Sequence, residues 1–149
     1  MTITTTTTST TTGTTGTTNP ATAGDPVARF LDAVTSGDGI PAGIFSDDAT
    51  LDATVPMWRL EANGADAVRG ELGKWYGLPA TLEHVAHRPF PGGDAVEIDL
   101  SWHEAGVPHA AHQLHVLAVE GDRIVSDTVF CGGRWPAALL AEMEAARAH

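Results

Sequence analysis

Residues 95–131 read AVEIDLSWHEAGVPHAAHQLHVLAVEGDRIVSDTVFC, and their apolar side chains recur with a period near two. That period predicts three consecutive antiparallel strands with two unlike faces. Turns are expected at 104–108 (Glu-Ala-Gly-Val-Pro) and at Gly121-Asp122, both built from residues that tolerate tight reversal. With those turns, Val96, Ile98, Leu100 and Trp102 share a face with Ala110, His112, Leu114, Val116 and Ala118. Val125, Asp127, Val129 and Cys131 extend the same face on the third strand. The other face carries Glu97, Asp99, Ser101, His103, His109, Gln113, His115, Ser126 and Thr128. One face is thus apolar with two titratable groups set into it. The expectation is a pocket lined by that face, with Asp127 and His112 as its chemistry.

Working outward, Thr81 to Phe90 is a further strand closed by Pro91-Gly92-Gly93-Asp94. A two-residue Gly92-Gly93 turn puts Arg88 opposite Glu97 as a cross-strand ion pair, and Val85 and His87 on the apolar face. Upstream, Asp25-Pro26 is a helix start, and Val27, Phe30, Leu31 and Val34 form one helical face that Gly37 ends. Ile40 to Phe45 is expected as a short helical turn, Ala49 to Met57 as a strand bent or edged at Pro56, and Gly64 to Tyr76 as a helix. Trp135-Pro136 opens a last helix with Leu139, Leu140 and Met143 apolar. Helices placed early and a long meander after them indicate α+β, a bent antiparallel sheet wrapped around N-terminal helices. The hollow of such a sheet is where a ligand would sit.

Composition bounds the partners. Lys and Arg number 8 against 19 Asp and Glu, a net charge of −11, which argues against nucleic acid and anionic membrane surfaces. No apolar run approaches the roughly 20 residues of a membrane span. The single cysteine, Cys131, excludes an intrachain disulfide and is compatible with a cytoplasmic location. Residues 1–24 are Thr-rich with nothing apolar to bury, an expected disordered tail ahead of one domain at 25–149. The pairs His84/His87 and His112/His115 point to opposite faces of their strands, so no metal and no cofactor is expected. The polar sheet face is a candidate surface for homodimer association.

The phrases IFSDDATLDATVP (44–56), NGADAVRGEL (63–72) and GDRIVSDTVFCGG (121–133) resemble the nuclear transport factor 2-like, or SnoaL-like, superfamily of cone-shaped α+β domains. The resemblance spans roughly Asp25 to Trp135. It implies polyketide cyclases, ketosteroid isomerases, epoxide hydrolases, dehydratases or non-catalytic binders, since fold alone does not name the reaction. Asp127 looks like the last-strand acid/base Asp of SnoaL-like cyclases, and His112 is the nearest match for their His on the preceding strand. The isomerases' general-base Asp would fall near Ala53, which leaves that chemistry unsupported. An epoxide hydrolase arrangement would draw on Asp52, Arg59 and Asp127.

The expected function is a cofactor-independent enzyme of cyclase, isomerase or dehydratase type. It would act on a hydrophobic, polyketide-like metabolite by general acid/base catalysis. Asp127 and His112 are its expected catalytic residues, and Phe30, Trp58, Arg59, Tyr76, His87, Trp102, Leu114 and Val129 its expected pocket. The alternatives are a non-catalytic ligand-binding or dimerisation module and an epoxide hydrolase.

Overall fold

A computed structural model describes residues 24–149; the expected N-terminal tail lies outside the described residues, save Gly24. The order is α1 (Pro26–Ser36), β1 (Phe45–Val55), β2 (Trp58–Asn63), α2 (Ala65–Trp75), β3 (Ala80–Phe90), β4 (Gly93–Glu104), β5 (Val107–Glu120), β6 (Arg123–Cys131), β7 (Trp135–Pro136) and α3 (Ala137–Arg147). The α+β expectation holds. Six strands form one sheet in the order β2-β1-β6-β5-β4-β3, with the two-residue β7 against β5. All neighbours are antiparallel except β1 and β6, which run parallel. The sheet is curved and unclosed, and bulges at Leu82/His84 and Ala118/Val119 bend its strands.

Local signals decide the helices. The Asp25 side chain accepts the Val27 amide at 3.0 Å, and Gly37 closes α1 in the left-handed region at φ 82°. Val27, Phe30 and Val34 of α1, with Val68 and Leu72 of α2, are buried against the inner face of the sheet. Strands contribute Phe45, Leu51, Ala53, Val96, Ile98, Leu117, Ile124 and Val129 to the same core. Ile40 to Phe45 is no helix: a turn at Ala42–Gly43 leads straight into β1. Strand β2 had no counterpart in the sequence reading, because its turn is Pro56-Met57 with Met57 at φ 62°, a position where glycine or asparagine is the usual signal.

The register of β5 differs by one residue from the expectation, and one residue turns a strand over. The β4–β5 loop is Ala105-Gly106, with both residues at positive φ and Glu104 paired to Val107. It is therefore a two-residue reversal rather than a five-residue one. Across β5 and β6, Glu120 does pair with Arg123 around Gly121-Asp122, but the bulge at Ala118/Val119 then shifts the remaining pairs by one. The two shifts act together. Ala111, Gln113, His115 and Leu117 face inward beside Leu100, Ile98 and Val96, whereas His112, Leu114, Val116 and Ala118 face outward. The β3–β4 turn, Pro91-Gly92, moves that register by two, so the faces stay as read and Arg88 still meets Glu97 at 2.7 Å.

Candidate functional site

Beneath the helices, the inner face carries a continuous polar chain. Asp127 (1% exposed) holds His115 (fully buried) through Nδ1, at 2.9 Å and 3.1 Å from its two carboxylate oxygens. On the other side of the ring, His115 Nε2 lies 3.0 Å from the Tyr76 hydroxyl, which donates to Gln113 Oε1 at 2.7 Å. The Gln113 amide nitrogen in turn donates to Cys131 Sγ at 3.5 Å. Register explains the assembly: His115 sits opposite Val129 and Gln113 opposite Cys131, while Asp127 faces Leu117 two pairs along, on the same face. Tyr76, which caps the end of α2, comes over the sheet to meet them. Phe30 packs edge-on against His115 with ring centres 5.1 Å apart and holds the imidazole in place.

The Tyr76 hydroxyl thus stands within hydrogen-bond distance of both Gln113 Oε1 and His115 Nε2. Burial, and after it the negative charge of Asp127, push the Tyr76 hydroxyl well above the ordinary tyrosine pKa, with Cys131 adding to the effect and the Gln113 bond partly offsetting it. Tyr76 is therefore a proton-bearing donor at neutral pH.

Next to this chain lies a cavity of about 720 Å³. Leu100, Leu60, Val55, Trp75 and Trp102 are among the residues that line it, and Tyr76, Gln113 and Cys131 are the residues of the polar chain that reach it. Asp127 and His115 do not line it. Also in its lining, Arg134 pairs with Glu104 and lies over the Trp102 ring at 5.7 Å, and His109 stacks on that ring at 5.6 Å. The size and the mostly apolar wall suit a small organic ligand.

The expected site residues divide. Asp127 is inside as read, and Tyr76 and Trp102 line the cavity. His112 is outside: its Nδ1 is 2.5 Å from Asp99 and its Nε2 3.5 Å from Glu97, on the solvent face. Its role in the chain belongs to His115, three residues on. Leu114 is also outside, carried there by the same register shift. Arg59 lies on the outer face, where it grips Asp52 at 2.6 Å and 2.9 Å and holds that carboxyl below its usual range; both are solvent-exposed. The epoxide hydrolase arrangement is thereby dismantled, since Asp52 and Arg59 never meet Asp127. Phe30 and Val129 are core residues rather than cavity wall. His87 shares the inner face but sits at the exposed end of β3 with Asp94 at 2.6 Å. Trp58 is on the inner side of β2, two residues before the cavity-lining Leu60, yet is 68% exposed and touches no cavity. Gln113 and His115 were missed. The signal that could have found them is Ala105-Gly106 read as a two-residue loop.

The chain has an NTF2-like fold, a curved, unclosed sheet cupping helices. Among solved structures, it is similar to a protein with a ketosteroid isomerase-like fold from Catenulispora acidiphila in complex with trimethylamine. That likeness is at 16% identity over 72% of this chain and 85% of that one, with a TM-score of 0.55. An NTF2-like protein of unknown function from Burkholderia xenovorans matches at 16% identity over 72% and 80% of the two chains, TM-score 0.52. Another, from Cytophaga hutchinsonii, matches at 18% identity over 71% and 96%, TM-score 0.50. At these identities the likeness is one of fold. No protein-family model and no curated protein matches the chain. Among the described residues, no helix is long and apolar enough to cross a membrane.

Proposed function

We propose that this chain binds a neutral, hydrophobic small molecule in its internal cavity. The observation that carries the proposal is the cavity itself, about 720 Å³, lined by Leu100, Leu60, Trp75 and Trp102 among others, with Tyr76, Gln113 and Cys131 as its uncharged polar side chains and Lys74, Glu104 and Arg134 as its charged ones. Apolar wall area drives entry, and a few fixed polar groups orient what enters. Ala111 tests this directly, because it is a small side chain on the cavity wall of β5. Bicyclic hydrocarbons and ketones such as tetralin and 2-tetralone should raise the melting temperature of wild type. At a hundred times Kd the gain is about 2.7 kcal/mol. Ala111→Phe, which fills the space, should lose that response while melting cooperatively. An undiminished response in Ala111→Phe would place the ligand elsewhere and refute the reading.

A second reading is an enzyme of cyclase, isomerase or dehydratase type, in keeping with the SnoaL-like resemblance. It is favoured by the Asp127–His115–Tyr76 chain ending at the cavity wall. Buried proton-transfer groups hydrogen-bonded in series are the apparatus of general acid/base catalysis. On this reading Tyr76 is the group that meets the substrate, with His115 as its proton partner and Asp127 orienting His115. Tyr76→Phe should then abolish turnover while leaving ligand affinity within a few-fold. Turnover that survives Tyr76→Phe would remove Tyr76 from the chemistry.

A further inference from the structure

The cavity reading leaves open what kind of molecule fits, and Gln113 narrows it. Its side chain is 95% buried, being 5% exposed, and its residue lines the cavity. The carbonyl edge is committed to the interior, with Oε1 2.7 Å from the Tyr76 hydroxyl that donates to it and 3.4 Å from His115 Nε2. The structure sets Oε1 toward Tyr76 and Nε2 toward Cys131. The amide nitrogen has two hydrogens and one protein partner, Cys131 Sγ at 3.5 Å, a long contact to a weak acceptor. Cys131 in turn receives the Gly133 amide at 3.4 Å. One N–H of this amide is therefore left without a protein partner on a residue that lines the cavity, while the Tyr76 oxygen and Gln113 Oε1 are both engaged within the chain.

We infer that the ligand presents a hydrogen-bond acceptor, a ketone or lactone carbonyl, to Gln113 Nε2 at its buried end, with an apolar ring system against Trp75, Trp102 and Leu100. This rests on the cavity reading above and specifies the ligand class of the same site. A ligand carbonyl that accepts the second amide N–H adds a hydrogen bond to the burial of its rings. Donation of the Tyr76 hydroxyl to the amide carbonyl polarises the amide and strengthens its N–H.

Tetralin and 2-tetralone share a skeleton and differ by one carbonyl oxygen, which makes them the test pair. Calorimetric titration of wild type should give 2-tetralone about tenfold tighter than tetralin. In Gln113→Met, which keeps chain length and loses the amide, the two should bind alike, with tetralin unchanged within about twofold. Because that variant also takes an acceptor from Tyr76, wild type supplies an independent readout. The infrared carbonyl stretch of bound 2-tetralone should fall below its position in a hydrocarbon solvent. Tetralin binding as tightly as 2-tetralone, or a carbonyl band at the hydrocarbon position, would overturn the inference and leave the cavity reading standing. A preference for 2-tetralol over the ketone would overturn it too, by pointing to an exposed acceptor. Failure of both ligands to bind would overturn the inference together with the cavity reading.

Discussion

Tyr76 is the only tyrosine in the chain, so its ionisation can be followed without interference. Its hydroxyl is buried against Gln113 and His115, and desolvation first, then the charge of Asp127, hold its pKa well above the ordinary 10.0. The unfolded chain deprotonates near that ordinary value, whereas the folded chain keeps the proton. A group whose pKa is raised on folding contributes stability that is whole below the unfolded pKa. That contribution is lost as pH climbs from there through the folded value. Between those limits the loss is about 1.4 kcal/mol per pH unit, a measurable slope against a total of roughly 5–15 kcal/mol for a domain. Urea unfolding at stepped alkaline pH measures the slope, and the ultraviolet phenolate band reports the proton. The band should stay absent from folded protein near pH 10 and appear on unfolding. Tyr76→Phe keeps the ring packed on Phe30 and should remove this share of the alkaline slope, with Gln113 Oε1 and His115 Nε2 (3.4 Å apart) free to bond each other. A phenolate titrating near 10 in the folded protein, or an unchanged slope in Tyr76→Phe, would refute the burial argument.

Two further outcomes follow from the same geometry. Asp127→Asn exchanges an acceptor for an NH2 group with no acceptor near it and strips His115 of its carboxylate, so it should cost about 2–4 kcal/mol in chemical denaturation. His112→Ala, on the solvent face, should leave the midpoint unchanged; equal losses in the two would contradict the assignment of inside and outside. Gly93→Ala should be among the most damaging single changes on the surface, by at least about 2 kcal/mol, because its Cβ would stand 2.0 Å from the Leu117 carbonyl oxygen. A melting temperature within a degree or two of wild type would mean that the β4–β5 edge is looser than drawn.

What the sequence by itself determined is whatever depends on neighbours along the chain. The Asp25 cap, the Gly37 stop, the apolar faces of α1 and α2 and the α+β order read correctly, since propensity and periodicity are local, whereas α3 buries none of its residues. Asp127 was legible for the same reason: it lies two residues from Val125 and Val129 on a strand with one buried face. The identity of its partner was not. Whether His112 or His115 faces inward depends on the parity of the β4–β5 register, and parity is decided by a two-residue loop and one bulge. Neither leaves a mark in hydrophobic alternation, because β5 carries Ala, Leu or Val on both faces, so that either face could pass for the inner one. Only the packed sheet chooses, by placing His115 between Asp127, Phe30 and Tyr76, where every buried polar atom of the chain finds a partner. The outward alternative would bury His112 with no such set and leave the Asp127 carboxylate alone in the core.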